Sequence, residues 1–169
     1  VCNKYDLPLF VDGARLGYGL CSPQSDLTLP LLTQLADVFY IGGTKVGALF
    51  GEAVVIRNER MKRDFRYSIK RHGGMLAKGR LLGIQFATLF TDGLYMHIAQ
   101  HAIDQAMRIK SALQGKGIPF LIDSPTKQQF PIFSNSQFEL LSQKYLFSIW
   151  QKVDDSHTAV RICTSWATK

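Results

Sequence analysis

The first apolar run, "PLFVD" at residues 8–12, is followed by a glycine-containing turn and reads as a short buried strand. "LTLPLLTQLA" (27–36) reads as a short helix entered through cap signals at Asp26–Thr28. "DVFYIGG" (37–43) is the next strand, so strand, helix, strand predicts a parallel βαβ unit. "GALFGEAVVI" (47–56) is expected to continue as a further strand, bent at Gly51. Residues 59–70 look helical, and Gly73 and Gly74 break the pattern. Apolar periodicity then predicts one helix from about 76 to 91 and another from 94 to 114, ended by Gly115 and Gly117.

Beyond that point the texture changes. "IPFLIDSP", "QQFPIFSN", "FSIWQKVD" and "TAVRICTSW" read as short strands, with "SQFELLSQKY" as a helix between the second and third. This is an α+β pattern, a small antiparallel sheet flanked by helices. The expected architecture is an α/β region over 1–92 followed by a small α+β domain over 93–169. Both ends look cut: the chain opens on the tail of a helix leading into a strand and closes just after one, which reads as a piece of a longer polypeptide.

Composition narrows the function classes. The chain has 169 residues and a net charge of +7, with apolar content sufficient for a sizeable core. No apolar stretch has the length of a membrane span, and no signal peptide opens the chain. Cys2, Cys21 and Cys163 are far apart and lack metal-ligand spacing, which predicts free thiols in a reducing cytoplasm. Residues 57–80 carry nine Lys or Arg against two acids, with Phe65 and Tyr67 between them. Such a stripe could track a phosphate backbone, but no nucleic-acid motif accompanies it, and a solvated helix face or a subunit rim explains it as well. The expectation is therefore no nucleic-acid partner and no membrane.

Several motifs fail. "GGTK" lacks the first glycine of a phosphate loop and has Val46 after the lysine. "HIAQH" sets His97 and His101 one helical turn apart but lacks a zincin's glutamate and a third ligand, so no metal site is expected.

The two strand ends carry the chemistry. "FVDGAR" places Asp12, Ala14 and Arg15 where one strand stops, and "GGTK" places Thr44 and Lys45 where the next stops. In a parallel sheet the carboxyl ends of strands open into one ligand crevice. A lysine in a half-buried hinge is seldom there for packing and suits an amine that reacts. An acid, an arginine and a lysine converging there fit pyridoxal phosphate, which takes a Schiff-base lysine and an acid partner for its ring nitrogen. Taken singly, Asp12 could be only a turn cap and Lys45 only a solvated loop residue.

"PLFVDGARLGYGL", "DVFYIGGTKVGALFGEAVVI" and the closing "AVRICTSWATK" resemble, in this order, the threonine aldolase and β-eliminating lyase group of pyridoxal-phosphate enzymes, of aminotransferase-type fold. The resemblance implies the second half of a large cofactor-binding domain plus most of a small C-terminal domain. The family's phosphate loop and ring-stacking aromatic lie upstream of the DGAR element, and this chain starts too late to include them. By the same resemblance, Asp12 would bind the pyridine nitrogen, Lys45 would form the Schiff base, and Ala14 and Thr44 would stand beside the cofactor. Arg15 and Arg161 would hold the substrate carboxylate. "RHGGMLAKGR" resembles a glycine-rich stretch near the cofactor phosphate or the neighbouring subunit, which makes Lys78 and Arg80 weaker candidates. The implied activity is cleavage of a β-hydroxy amino acid to glycine and an aldehyde, in a homo-oligomer. A tryptophanase-like β-elimination stands as the alternative chemistry, and a basic binding module as the non-enzymatic one.

Overall fold

The computed structural model describes residues 1–169. The chain forms two compact units, Val1–Leu20 with Ser25–Ile98, and Cys21–Gln24 with Ala99–Lys169. In the first, a 3-10 turn over Cys2–Tyr5 precedes β1 (Phe10–Val11), α1 (Leu16–Leu20), α2 (Leu29–Leu35), β2 (Val38–Gly42) and β3 (Glu52–Ile56). β1 pairs in parallel with β2, Phe10 opposite Val38 and Val11 opposite Phe39, and β3 lies antiparallel on β2's other edge. The predicted βαβ unit is present. Its crossover helix starts where the Thr28 hydroxyl accepts the Leu31 N–H at 3.2 Å.

Alternate residues of β2, Phe39 and Ile41, are buried with Leu16 and Tyr18 of α1 and Leu32 of α2. Each such side chain contributes about 1.5–3 kcal/mol relative to exposure. The strand expected over 47–56 begins only at Glu52. Gly47 (φ 97°) and Gly51 (φ 90°) turn the preceding segment through the left-handed region, and an apolar run with such turns cannot pair as a strand.

The helix expected over 59–70 is two helices, α3 (Glu59–Lys62) and α4 (Phe65–Arg71), parted where Asp64 takes φ 57°. α5 (Arg80–Phe90) starts later than the apolar periodicity indicated, after the Gly73 turn and an exposed stretch. α6 (Leu94–Gln114) has the predicted limits. Its buried stripe is Tyr95, Ala99, Ala102, Ile103 and Ala106, and the helix passes from the first unit to the second after Ile98.

The second unit holds β4 (Gln128–Gln129), β5 (Ile132–Ser134), α7 (Asn135–Ser142), β6 (Ser148–Lys152) and β7 (His157–Cys163). β7 is the hub, antiparallel to β4, β5 and β6, so the expected small antiparallel sheet forms. "IPFLIDSP" is not a strand; it contributes a single bridge from Phe120 to Pro131. Ser134 and Gln137 close a reciprocal capping box at the start of α7. Ala159 and Val160 of β7 pack in a core with Phe130 and Phe133. Buried Gln129 spends its amide on the carbonyls of Ser124 and Thr126, at 3.2 and 2.7 Å. No helix is long and apolar enough to cross a membrane.

Candidate functional site

Because β1 and β2 are parallel, their carboxyl ends lie side by side. Extending the register by one residue sets Asp12 beside Tyr40. The Tyr40 hydroxyl donates to Asp12 Oδ1, and the Ala14 N–H donates to the same oxygen at 3.0 Å. These bonds, Tyr40's first, hold the Asp12 carboxyl below the usual range, and the charges of Lys45 and Arg15 act in the same direction. Asp12 is therefore ionised at neutral pH. The Tyr40 phenol is pushed up by the same bond.

The two strand ends touch through backbone. Gly42 N–H donates to the Gly13 carbonyl at 2.9 Å. A Cβ on Gly13 would stand 1.6 Å from the Tyr40 carbonyl oxygen, and one on Gly42 would stand 2.5 Å from that of Ala14. Only glycine permits this approach, which is the physical content of the DGA and GG elements.

The lysine loop is tied at several points. Gly43 N–H donates to Glu52 Oε2 at 2.8 Å, and Val46 beside the lysine is fully buried. The Tyr18 hydroxyl donates to the Lys45 carbonyl. The Tyr95 hydroxyl donates to the Gly42 carbonyl at 3.0 Å and accepts the Gly17 N–H at 3.2 Å, which joins α1 and the loop to α6. Lys45 itself is half-buried.

Asp12, Ala14, Arg15, Thr44 and Lys45 thus share one edge of the sheet. Lys78 and Arg80 stand exposed just before and at the start of α5, with no hydrogen bond or ion pair to that group. Arg161 belongs to the second unit, on β7 opposite Ser148. Its guanidinium carbon lies 5.8 Å from the centre of the Trp150 ring, and its Nε is buried without a partner. With Phe133, Tyr145, Phe147 and Cys163 it lines a cavity of about 550 Å³. A second cavity, about 370 Å³, surrounds Asp6, Asp37 and Asn58 near the amino ends of β1 and β2, away from Lys45.

Sequence reasoning missed Tyr18, Tyr40, Glu52 and Tyr95. Tyr40 falls beside Asp12 only once the β1–β2 register is known, and Tyr95 sits 53 residues from the carbonyl it binds and leaves no local signal. Of the histidine pair, the His101 ring nitrogen lies 2.7 Å from the Thr168 carbonyl oxygen, and His97 is exposed. No three metal-ligating side chains come together.

An ionised carboxylate and a primary amine on adjoining strand ends are the donor set that a pyridinium nitrogen and an aldehyde require, so these residues fit pyridoxal phosphate. No family model matches the chain. A low specificity L-threonine aldolase of Pseudomonas sp. is 29% identical over 180 residues, covering 99% of this chain and 48% of the relative. The solved threonine aldolase of Leishmania major superposes with a TM-score of 0.94 at 41% identity, over 99% of this chain and 49% of that one. A serine palmitoyltransferase of Sphingomonas wittichii shares the fold alone, with a TM-score of 0.63 at 10% identity over 99% of this chain and 45% of that one. The chain spans about half the length of the relatives it matches. By sequence and by structure it is a homologue of the threonine aldolases, with the aminotransferase-type fold of pyridoxal-phosphate enzymes.

Proposed function

We propose that the intact protein is a pyridoxal-phosphate-dependent lyase that cleaves L-threonine or related β-hydroxy amino acids to glycine and an aldehyde. The observation that carries this reading is the convergence of ionised Asp12 and half-buried Lys45 on adjoining strand ends. When bound, pyridoxal phosphate supplies the electron sink for the pair released as Cα–Cβ breaks. Lys45 holds the cofactor covalently through Nζ, and the Asp12 carboxylate keeps a proton on the ring nitrogen. Ala14 and Thr44 stand beside the cofactor. Arg15 in the first unit and Arg161 in the second are each candidates for the substrate carboxylate, because a planar guanidinium fork suits a two-oxygen anion. Lys78 and Arg80 remain the weaker candidates, near the cofactor phosphate or the neighbouring subunit. The wide spacing and odd number of the cysteines support a cytoplasmic setting, and exposed apolar side chains such as Leu49 and Ile84 support a homo-oligomer.

Borohydride reduction of the intact protein loaded with pyridoxal phosphate, followed by peptide mapping, tests the assignment. The label is expected on Lys45, and Lys45→Ala is expected to lose the visible cofactor band and nearly all release of glycine from L-threonine. A label on Lys78 instead would overturn it. An intact protein that eliminates a β-substituent yet releases no glycine from threonine would replace the reaction while keeping the site.

A further inference from the structure

We infer that Tyr40 is a positioning residue for Asp12, its phenol holding one carboxylate oxygen so that the other is presented to the cofactor's ring nitrogen. The inference rests on the reading of Asp12 as that nitrogen's partner.

Asp12 lies just past β1, on an exposed turn where a carboxylate can rotate about both side-chain torsions. The bond from Ala14 N–H is local, two residues along, and is of the kind any turn aspartate makes to its own backbone. The bond from Tyr40 is different, because it comes from the neighbouring strand. β2 is hydrogen-bonded on both edges, and the Tyr40 ring packs against Phe10 with centroids 6.0 Å apart, so the donor is itself held in place. Both donors fall on Oδ1 and leave Oδ2 without a protein partner. A carboxylate held this way has one orientation and one open acceptor.

The same bond has an electrostatic consequence. A hydrogen bond to the charged form lowers the carboxylate's affinity for protons, and Tyr40 is the largest cause of that lowering at Asp12. A proton shared between Asp12 and a ring nitrogen is then kept on the nitrogen, where it serves the electron sink.

The test is a double-mutant cycle on the intact protein, reading the dissociation constant of pyridoxal phosphate by absorbance or fluorescence titration. Tyr40→Phe removes only the hydroxyl and keeps the ring against Phe10. It is expected to weaken pyridoxal-phosphate binding about tenfold, the scale of one hydrogen bond to a charged group. In an Asp12→Asn background the same change is expected to cost less than about twofold, because no carboxylate is left to orient. With ring-labelled cofactor, the nitrogen-15 shift of Tyr40→Phe is expected to move toward that of an unprotonated pyridine. Equal losses in both backgrounds, or no loss from Tyr40→Phe in the parent, would overturn the role of Tyr40 and leave Lys45 and Asp12 standing. A parent that binds no pyridoxal phosphate would overturn the cofactor reading itself, and this inference with it.

Discussion

At the residue scale Arg161 shows how far a bare pattern reaches. The alternation in "TAVRICTSW" indicates that Val160 and Arg161 point to opposite faces of a strand, and taken alone it favours an arginine in solvent. The structure half-buries it, lays it over Trp150 and leaves Nε without a partner. A buried guanidinium N–H without an acceptor is costly, and a substrate carboxylate would offset that cost. Arg161→Lys keeps the charge and loses the fork. It is expected to weaken the grip on substrate by about 1.5–3 kcal/mol, read as a raised KM for L-threonine, with borohydride trapping on Lys45 unchanged. An unaltered KM would mean that Arg161 serves only to stack on Trp150.

At the element scale, the local pattern predicted what depends on local chemistry. β2, α2 and the limits of α6 follow from alternation, a threonine cap and terminal glycines, all of which act within a few residues. The same pattern misled where backbone conformation overrode it, at Gly47 and Gly51 before β3 and at Asp64 between α3 and α4. It was silent on Tyr95, whose hydroxyl ties α1 and the Gly42 carbonyl to α6. Removing that hydroxyl strands a buried N–H and a buried carbonyl together. Tyr95→Phe is expected to lower stability by about 1–3 kcal/mol in urea unfolding of the intact protein, with the ring's packing preserved. A loss under about 0.5 kcal/mol would show that water takes over both groups.

At the scale of the whole chain, surface is the informative property. Leu49 and Leu146 are 85% and 104% exposed, and Phe10, Ile84 and Ile149 are each about 60% exposed. Exposed apolar side chains mark surfaces that meet other protein where they form one contiguous patch, and the chain spans about half of its relatives' length. Produced alone, these 169 residues are expected to bind an apolar dye strongly and to sediment faster as concentration rises. Leu49→Lys with Leu146→Lys should reduce both effects. A chain that stays monomeric and dark would show that its exposed residues are scattered and need no partner. The sequence by itself determined the βαβ order, the antiparallel tail and the pairing of an acid with a lysine at strand ends, because each follows from short-range periodicity and glycine chemistry. Only the tertiary structure decided that Tyr40 bonds to Asp12, that Tyr18 and Tyr95 hold the lysine loop, and that Arg161 lies over Trp150. Those contacts join side chains on different elements, and no local preference encodes a distance closed only by packing.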